Sequence, residues 1–279
     1  MKYLFFDCDG TLFGKSRFIT ERTLEEITKI HDAGHKVFFC TGRAPTSIVG
    51  GNLEKVPADG FIASAGGFIK ADGQMIFRNA IDKRLLYNVL QLFVNHHVLY
   101  ALETEKAIYQ SPGVNEFFDM KHHREFEGNE KLLRFFEYKR QKENRVPVLR
   151  FDIDRIGVPK IAFIADRRNE FLDIVQYLAD NFNIITFGSE NSDFINGEII
   201  LKDCTKADGI RRVLEHLGGS MEDTIAFGDS MNDLQMVETV HESYVSELAP
   251  GALKAKATGL FKNPDDNGLA DCLAALDLY

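Results

Sequence analysis

The chain has no apolar run that approaches the roughly 20 residues of a membrane-spanning helix. Its first carboxylate, Asp7, comes too early for the apolar segment of a secretory signal peptide. It also has no excess of basic residues, since 33 Lys and Arg stand against 42 Asp and Glu and give a formal net charge of -9. Such a chain is not expected to hold nucleic acid or an anionic membrane by general electrostatics. We therefore expect a cytoplasmic protein with neither partner, in which a local basic pocket for a small anion stays open.

Cysteine is scarce as well. No Cys-x-x-Cys pair and no metal-ligand spacing occurs among the four cysteines, which are Cys8, Cys40, Cys204 and Cys272. This excludes a disulfide framework and a typical zinc site, and it favours small buried side chains, with redox sensing as the alternative. With 279 residues, of which 44% are hydrophobic, the chain has enough apolar material for one sizeable core or two smaller ones.

The first strong pattern present is an apolar run that ends in two carboxylates. Residues 3–6 (YLFF) predict a buried strand, and Asp7, Asp9 and Gly10 follow it at a turn. Ligands of open α/β sheets bind beyond the carboxyl ends of the strands, so this placement indicates chemistry. The alternative is a plain turn capped by Asp7. An EF-hand is excluded, because its loop needs a third oxygen ligand before the glycine.

A predicted helix and then a second predicted strand follow this turn. Thr20 stands where an N-cap is expected, apolar residues recur at helical spacing up to Gly34, and residues 36–40 (KVFFC) predict another buried strand that stops at Thr41 and Gly42. Strand, helix and strand of these lengths are typical of a right-handed βαβ unit. Both strands then end at the same edge of one sheet.

The last part of the chain repeats this arrangement. Thr205 predicts the cap of a helix that begins with Lys206, and residues 224–227 (TIAF) predict a short buried strand. That strand ends in residues 228–233 (GDSMND), so an acidic turn again follows an apolar run.

The middle of the chain predicts a strand and then a hairpin within 61–77, followed by a second domain inserted into the first. The expected helices lie near 82–97, 130–143 and 167–181, and the expected strands near 98–102, 148–152, 160–165 and 184–187. None of these strands ends in paired carboxylates. The whole pattern predicts an α/β fold.

If the three strand ends share a parallel sheet, four carboxylates crowd together at one edge: Asp7, Asp9, Asp229 and Asp233. They repel one another unless a cation or a basic side chain joins them, and oxygen ligands with room for water favour Mg²⁺. A carboxylate can attack phosphorus when the charge on the transferring group is neutralised. Thr41 and Lys206 can supply a hydroxyl and an ammonium for that purpose. Taken singly, however, Thr41 is more typical of a strand end and Lys206 of a solvated first turn of a helix.

Four segments in this order resemble the motifs of the haloacid dehalogenase-like phosphatases: residues 7–11 (DCDGT), Thr41 within 40–43 (CTGR), Lys206 within 205–209 (TKADG), and 228–233 (GDSMND). The insert between the second and third resembles the α/β cap of the Cof-type branch, so the resemblance covers nearly the whole chain. It implies a discontinuous Rossmann-like core over 1–82 and 200–279, and a substrate-selecting cap over 83–199.

The resemblance also implies roles for individual residues. Asp7 would be the nucleophile, and Asp9 would protonate the leaving alcohol and later deprotonate the attacking water. Lys206 would orient Asp7 and hold phosphoryl oxygens. The remaining phosphate-binding positions would be Gly10, Thr41, Gly42 and Asn232. The Mg²⁺ ligands would be Asp7, the backbone carbonyl of Asp9, and Asp229, with Asp233 supporting the metal site.

The implied activity is Mg²⁺-dependent hydrolysis of small phosphorylated metabolites such as sugar phosphates or phosphorylated cofactors, by a monomer or homodimer. Two loops depart from the family pattern: residues 64–66 (SAG) replace Ser-Asn-Gly, and Leu248-Ala249 replaces Asn-Ala. These losses leave substrate preference open. A phosphotransferase or phosphomutase on the same scaffold, and a catalytically dormant metabolite-binding module, remain the alternative hypotheses.

Overall fold

The structure is a computed structural model, and it describes residues 1–187, 194–202 and 204–279. The chain divides into two compact units. Unit 1 comprises residues 1–43, 48–77 and 205–279, and unit 2 comprises residues 44–47 and 78–204. Among the described residues, no helix combines the length and the apolar character needed to cross a membrane.

The strands, in chain order, are β1 Tyr3–Phe6, β2 Lys36–Cys40, β3 Gly60–Ala63, β4 Phe68–Ala71, β5 Gln74–Arg78, β6 Leu99–Glu103, β7 Ile108–Gln110, β8 Arg145–Pro147, β9 Lys160–Ala165, β10 Phe182–Phe187, β11 Ile195–Leu201, β12 Thr224–Gly228, β13 Glu242–Ser246 and β14 Gly259–Phe261. The α-helices are α1 Glu21–Asp32, α2 Lys83–Asn95, α3 Val114–Glu125, α4 Glu130–Lys142, α5 Arg168–Asn181, α6 Lys206–Leu217, α7 Leu234–Thr239, α8 Gly251–Lys254 and α9 Gly268–Ala274. Short 3-10 turns join several of them.

Unit 1 is built on an eight-stranded sheet with the order β14-β13-β12-β1-β2-β3-β4-β5. The strands from β14 to β3 pair in parallel, and β4 is antiparallel to β3. All four residues of β1 are buried, because side chains on both of its faces enter a core. Phe6 pairs with Phe39 of β2 and with Phe227 of β12. The expected α/β fold with a parallel-sheet core is thus confirmed, and the three predicted strand ends lie at one edge.

Two apolar layers hold this sheet. One cluster joins β1 residues Leu4 and Phe6 to Ile27 of α1 and Leu269 of α9. The other joins the alternate β1 residues to Ile210 of α6 on the opposite face. Because successive side chains of a strand point to opposite faces, four apolar residues suffice to anchor both layers.

Unit 2 contains a six-stranded sheet with the order β10-β11-β9-β6-β7-β8. Helices α2 and α5 contribute Phe93 and Phe171 to the apolar cluster on one face, against Phe163 of β9. Lys160, which belongs to the alternate set of β9, is buried between Glu103 of β6, at 2.9 Å, and Glu198 of β11, at 2.5 Å. The second face of this sheet therefore holds a buried charged group.

The expected strand at 148–152 is wrong. Residues 148–150 form a 3-10 turn, and the strand lies just before it, at β8. Pro147 is the last residue of β8 and has no N–H to donate, so the ladder cannot continue through it, and β8 lies at the edge of the sheet.

Candidate active site

The site lies at the carboxyl edge of the unit 1 sheet, where three neighbouring strands end. Asp7 directly follows β1, Thr41 directly follows β2, and Asp229 directly follows β12. The backbone N–H of Asp7 donates to the carbonyl of Phe227, at 2.9 Å, so the parallel pairing continues to the first residue of the site. The paired strands thereby fix the backbone positions of these three residues.

Lys206 reaches this edge from the first turn of α6. The hydroxyl of Thr205 accepts a hydrogen bond from the N–H of Asp208, at 3.0 Å, and donates one to its carboxylate, at 2.6 Å, which caps the helix as expected. A Cβ at Gly66 would lie 2.5 Å from the carbonyl oxygen of Thr205, and Gly66 has a φ of 107°. The loop before β4 therefore packs closely on the start of α6, and only glycine fits there.

The Lys206 ammonium joins two carboxylates. Its Nζ lies 2.6 Å from Oδ1 of Asp7 and 2.5 Å from Oδ1 of Asp233, and all three side chains are buried. Burial disfavours the charged ammonium, but Asp233 and Asp7 outweigh it and raise the pKa of Lys206 well above its ordinary value. Lys206 is accordingly a fixed positive charge that orients Asp7.

The turn after β12 places Asp229 and Asp233. The Oδ2 of Asp233 accepts hydrogen bonds from the backbone N–H groups of Asp229, at 2.9 Å, and Ser230, at 3.1 Å. Asp233 thus holds the turn and Lys206 at the same time. Ligand oxygens of Asp7, Asp229 and Asp233 all lie within 4.8 Å of one another.

The crowding of these carboxylates shifts the pKa values of Asp7 and Asp229. Burial raises the pKa of Asp7 well above its ordinary value; Lys206 opposes this rise, and Asp233 and Asp229 add to it. Burial and the neighbouring Asp233 raise the pKa of Asp229 to about 7. Three carboxylates against one ammonium leave an excess of negative charge, which a cation would relieve.

The absence of a side chain at Gly10 leaves room for the carboxylate of Asp229. The φ of Gly10 is 91°, and a Cβ there would lie 2.2 Å from the Asp229 carboxylate. The hydroxyl of Thr11 donates to Asp229 Oδ1, at 3.3 Å. The first acidic segment is therefore shaped to receive the side chain of the last one.

Thr41, after β2, and Asn232, in the turn after β12, belong to different local structures. The Thr41 side chain is buried, and its hydroxyl accepts from the N–H of Arg43, at 3.1 Å, across Gly42. The amide oxygen of Asn232 accepts from the Ser230 hydroxyl, at 2.9 Å, and Asn232 is exposed. Their expected role as phosphate ligands stays a prediction.

The side chain of Asp9 is separate from the three-carboxylate group, and arginines hold it. Arg43 donates to it twice, from Nε to Oδ2 at 2.7 Å and from Nη2 to Oδ1 at 2.9 Å. Arg17 donates from Nη1 to Oδ1 at 2.8 Å. Sequence reasoning missed both contacts. The position of Arg43, two residues after Thr41 at a predicted strand end, could have indicated a site residue. Arg17 lies in a loop whose sequence shows no helix, strand or motif pattern.

The donor set fits a hard divalent cation. It consists of carboxylate oxygens only, from Asp7, Asp229 and Asp233, and such oxygens are the ligands that Mg²⁺ prefers. The pKa of Asp229 is raised although the Thr11 hydroxyl donates to its carboxylate. A bound cation would therefore stabilise the ionised form of Asp229. Asp7 and Asp229 are thus the side chains that would hold the metal, and Asp233, whose oxygens already bind Lys206 and the N–H groups of the turn, would support the site.

Chemically, the site combines a buried carboxylate, an ammonium bound to it and a place for a cation. A carboxylate so placed can act as a nucleophile towards an electrophile whose negative charge the ammonium and the cation offset. Phosphoryl groups have this character.

Comparisons with known proteins agree with this geometry. A sequence model of the haloacid dehalogenase-like hydrolases matches residues 4–273. A protein of Bacillus subtilis (strain 168) named "Putative phosphatase YkrA" is 29% identical over 299 residues, which cover 99% of this chain and 98% of that protein. The 5-amino-6-(5-phospho-D-ribitylamino)uracil phosphatase YwtE of the same strain is 26% identical over 284 residues, which cover 97% and 96%.

Solved structures show the same fold. A haloacid dehalogenase-like hydrolase from B. subtilis superposes with a TM-score of 0.81 at 21% identity, covering 99% of this chain and all of that one. A sugar phosphatase of HAD subclass IIB superposes with a TM-score of 0.77 at 21% identity, covering 100% of both chains.

Proposed function

This chain belongs to the haloacid dehalogenase-like hydrolases, and from that membership and its site we propose that it is a Mg²⁺-dependent phosphatase of small phosphorylated metabolites. The observation that carries the proposal is the Lys206 ammonium, which lies 2.6 Å from Asp7 and 2.5 Å from Asp233 beside Asp229. A buried carboxylate oriented in this way is suited to in-line attack on phosphorus.

In the proposed reaction, an oxygen of Asp7 forms a bond to phosphorus as the bond from phosphorus to the alcohol oxygen breaks. Asp9 supplies the proton that the leaving alcohol takes up. Water then attacks the phosphorus of phospho-Asp7 and gives a proton to the ionised Asp9 as the bond from phosphorus to the Asp7 oxygen breaks. Inorganic phosphate leaves, Asp7 is again a carboxylate and Asp9 is again protonated.

The other residues stabilise charge in both steps. Lys206 stays bound to Asp7 and faces the oxygens of the transferring group, and the Thr41 hydroxyl and the backbone around Gly10 and Gly42 supply donors. Mg²⁺, when bound by Asp7 and Asp229 beside Asp233, would neutralise negative charge on the phosphoryl oxygens.

Substrate selection is assigned to unit 2, as the cap. The names of the relatives support small phosphorylated metabolites as the substrate class: one acts on a phosphorylated ribitylaminouracil, and another, from Enterobacter sp. (strain 638), is named HMP-PP phosphatase. The HMP-PP phosphatase is 24% identical and covers 91% of this chain, so the individual compound is left to the experiment.

The test is phosphate release from a panel of sugar phosphates, nucleotides, pyridoxal phosphate and flavin mononucleotide, with and without Mg²⁺. We expect Asp7→Asn to lower turnover at least ~10³-fold, because the amide cannot form the covalent intermediate. Asp32→Asn, at an exposed position near the end of α1, is the matched control and should keep full activity.

Calorimetry of the Asp7→Asn variant shows whether it is still folded. Phosphate release by wild type that persists in folded Asp7→Asn protein would rule out Asp7 as the nucleophile. No release from any compound would favour the dormant binding module instead.

A further inference from the structure

The Asp9 carboxylate is held from two sides. Arg43, only 8% exposed, forms a two-point contact with it from the end of β2, and the Arg43 guanidinium lies 5.1 Å from the centre of the Phe13 ring. Arg17, about one-third exposed, contacts Oδ1 from the loop after the first acidic segment. Both oxygens of Asp9 thus accept hydrogen bonds from guanidinium groups.

The backbone at Arg17 is unusual. Its φ is 62°, in the left-handed region that glycine adopts without strain and a long side chain rarely does. The N–H of Arg17 closes a turn onto the carbonyl of Gly14, at 3.2 Å. A strained conformation at a non-glycine residue whose side chain reaches a candidate catalytic group points to a need for that side chain.

One carboxylate fixes this turn. Asp265, in the 3-10 turn Pro264–Asp266, accepts from the N–H of Gly14 at 3.3 Å, from the N–H of Ser16 at 3.1 Å, and from the Ser16 hydroxyl at 2.6 Å. A Cβ at Gly14 would lie 2.6 Å from Asp265 Oδ2. The C-terminal segment of the chain therefore determines the path of the loop that carries Arg17.

Building on the proposed function, we propose that Arg17 is a positioning residue for Asp9 and that Asp265 acts on Asp9 through Arg17. Arg43 binds both oxygens of the carboxylate, and Arg17 adds a third hydrogen bond, to Oδ1, from a different segment of the chain, which further limits movement of the carboxylate. Neither Arg17 nor Asp265 needs to touch the substrate for this.

The leaving group gives a readout that a merely structural role would not move. An alkyl phosphate such as a sugar phosphate needs a proton from Asp9 as its alcohol leaves, whereas p-nitrophenyl phosphate leaves as a stable anion. We expect Arg17→Gly to lower kcat/KM about 10- to 100-fold for the sugar phosphate and less than about 3-fold for p-nitrophenyl phosphate. Arg17→Lys, which keeps a cation, should recover most of the loss.

Glycine is chosen because it suits a φ of 62°, so the variant should unfold within a few degrees of wild type. Asp72→Gly is the matched control. Asp72 also has a positive φ, of 49°, but lies in the exposed turn between β4 and β5. It should leave both rates unchanged.

Asp265→Asn tests the proposal that Asp265 acts on Asp9 through Arg17. The amide cannot accept at both oxygen positions, so the loop should lose its fixed path, and the same leaving-group-dependent loss is expected. Since Asp265 is proposed to act through Arg17, the double variant should lose no more than about 2-fold beyond Arg17→Gly alone. Asp271→Asn, which affects only an exposed ion pair with Arg22, is the control.

Equal losses on both substrates, or multiplying losses in the double variant, would overturn the inference. If wild type hydrolyses none of the phosphates, the proposed function fails, and crystal structures of wild type and Arg17→Gly then decide the inference alone. An Asp9 carboxylate in the same place in both would rule out a positioning role for Arg17.

Discussion

At the scale of single residues, Lys206 is the group whose removal leaves most charge uncompensated. Its ammonium is shared by two carboxylates with almost no solvent contact, at 4% exposure for Asp7 and 0% for Asp233. A buried pair of this kind costs desolvation energy to form, so it is not in itself a source of stability. Breaking it is nevertheless expensive, because the partners stay buried without a counterion.

We therefore expect Lys206→Met to lower the free energy of unfolding by about 3–5 kcal/mol in metal-free protein. Part of this loss should be recovered in Mg²⁺, which offers the carboxylates another cation. Lys256→Met is the control, because Lys256 pairs with Glu238 at 2.9 Å and about half of each side chain is exposed. That change should cost no more than about 1 kcal/mol. Calorimetry measures both, and equal losses would contradict the argument.

At the scale of elements, the unit 2 sheet carries a titratable group inside it. Burial raises the pKa of Glu103 from 4.5 to about 7, with Lys160 opposing the rise and Glu198 adding to it. The folded state therefore binds a proton that the unfolded chain has already lost between these two values. The corresponding stability is present below about pH 4.5 and is lost as pH rises through 7.

Replacing Glu103 by Gln should remove this pH dependence. The variant is expected to be at least as stable as wild type at pH 8 and to lose less stability than wild type between pH 5 and pH 8. Glu105→Gln is the control, since the hydrogen bond from Arg78 lowers the pKa of Glu105, and the stability linked to it is lost only as pH falls below about 4.5, so the profile between pH 5 and pH 8 should stay that of wild type. Thermal unfolding followed by circular dichroism over this range is the measurement. A parallel pH profile for Glu103→Gln and wild type would show that Glu103 does not titrate as argued.

The elements also show what local sequence can predict. The helices expected near 130–143 and 167–181 are present as α4 and α5, and the strand at 160–165 is confirmed as β9, because their apolar spacing is regular. Helix α3 was not expected: of its residues only Val114 is buried, so the segment carries no apolar stripe to read. Strand β11 was also missed, since Gly197 and Glu198 interrupt its apolar pattern.

In the site, the three strand ends followed from apolar runs that stop at polar residues, and pairing of Lys206 with Asp7 followed from the resemblance. The arginines on Asp9 did not follow from either. Arg17 reaches it through a turn with a left-handed residue, and that turn is held by Asp265 from the far end of the chain. Side-chain contacts of this kind depend on the tertiary structure rather than on local pattern.

At the scale of the whole molecule, ion binding at the candidate site should appear as global stability. We expect Mg²⁺ to raise the melting temperature of wild type, because an ion that binds only the folded state adds about 2.7 kcal/mol at 100 times its dissociation constant. For a protein of this size, that is a shift of several degrees.

Asp229→Asn should abolish most of this shift, since it removes one of the three carboxylates. Asp32→Asn should leave the shift unchanged, because Asp32 is exposed near the end of α1, outside the acidic group. Equal shifts in the two variants would mean that Mg²⁺ binds elsewhere. A chelator titration of the wild type should reverse the shift completely.

The division of unit 1 between the two ends of the chain bears on how the protein is made. Strand β1 lies at the centre of its sheet, yet β12, one of its two neighbours, is near the other end of the sequence. During synthesis β1 and β2 emerge before unit 2 and must wait with an open apolar edge until β12 has been released. Unit 2 emerges within that interval and, apart from residues 44–47, is continuous in sequence. Folding of the nascent chain should therefore proceed from the inserted segment outward, and the carboxylates of the candidate site should be the last groups to meet.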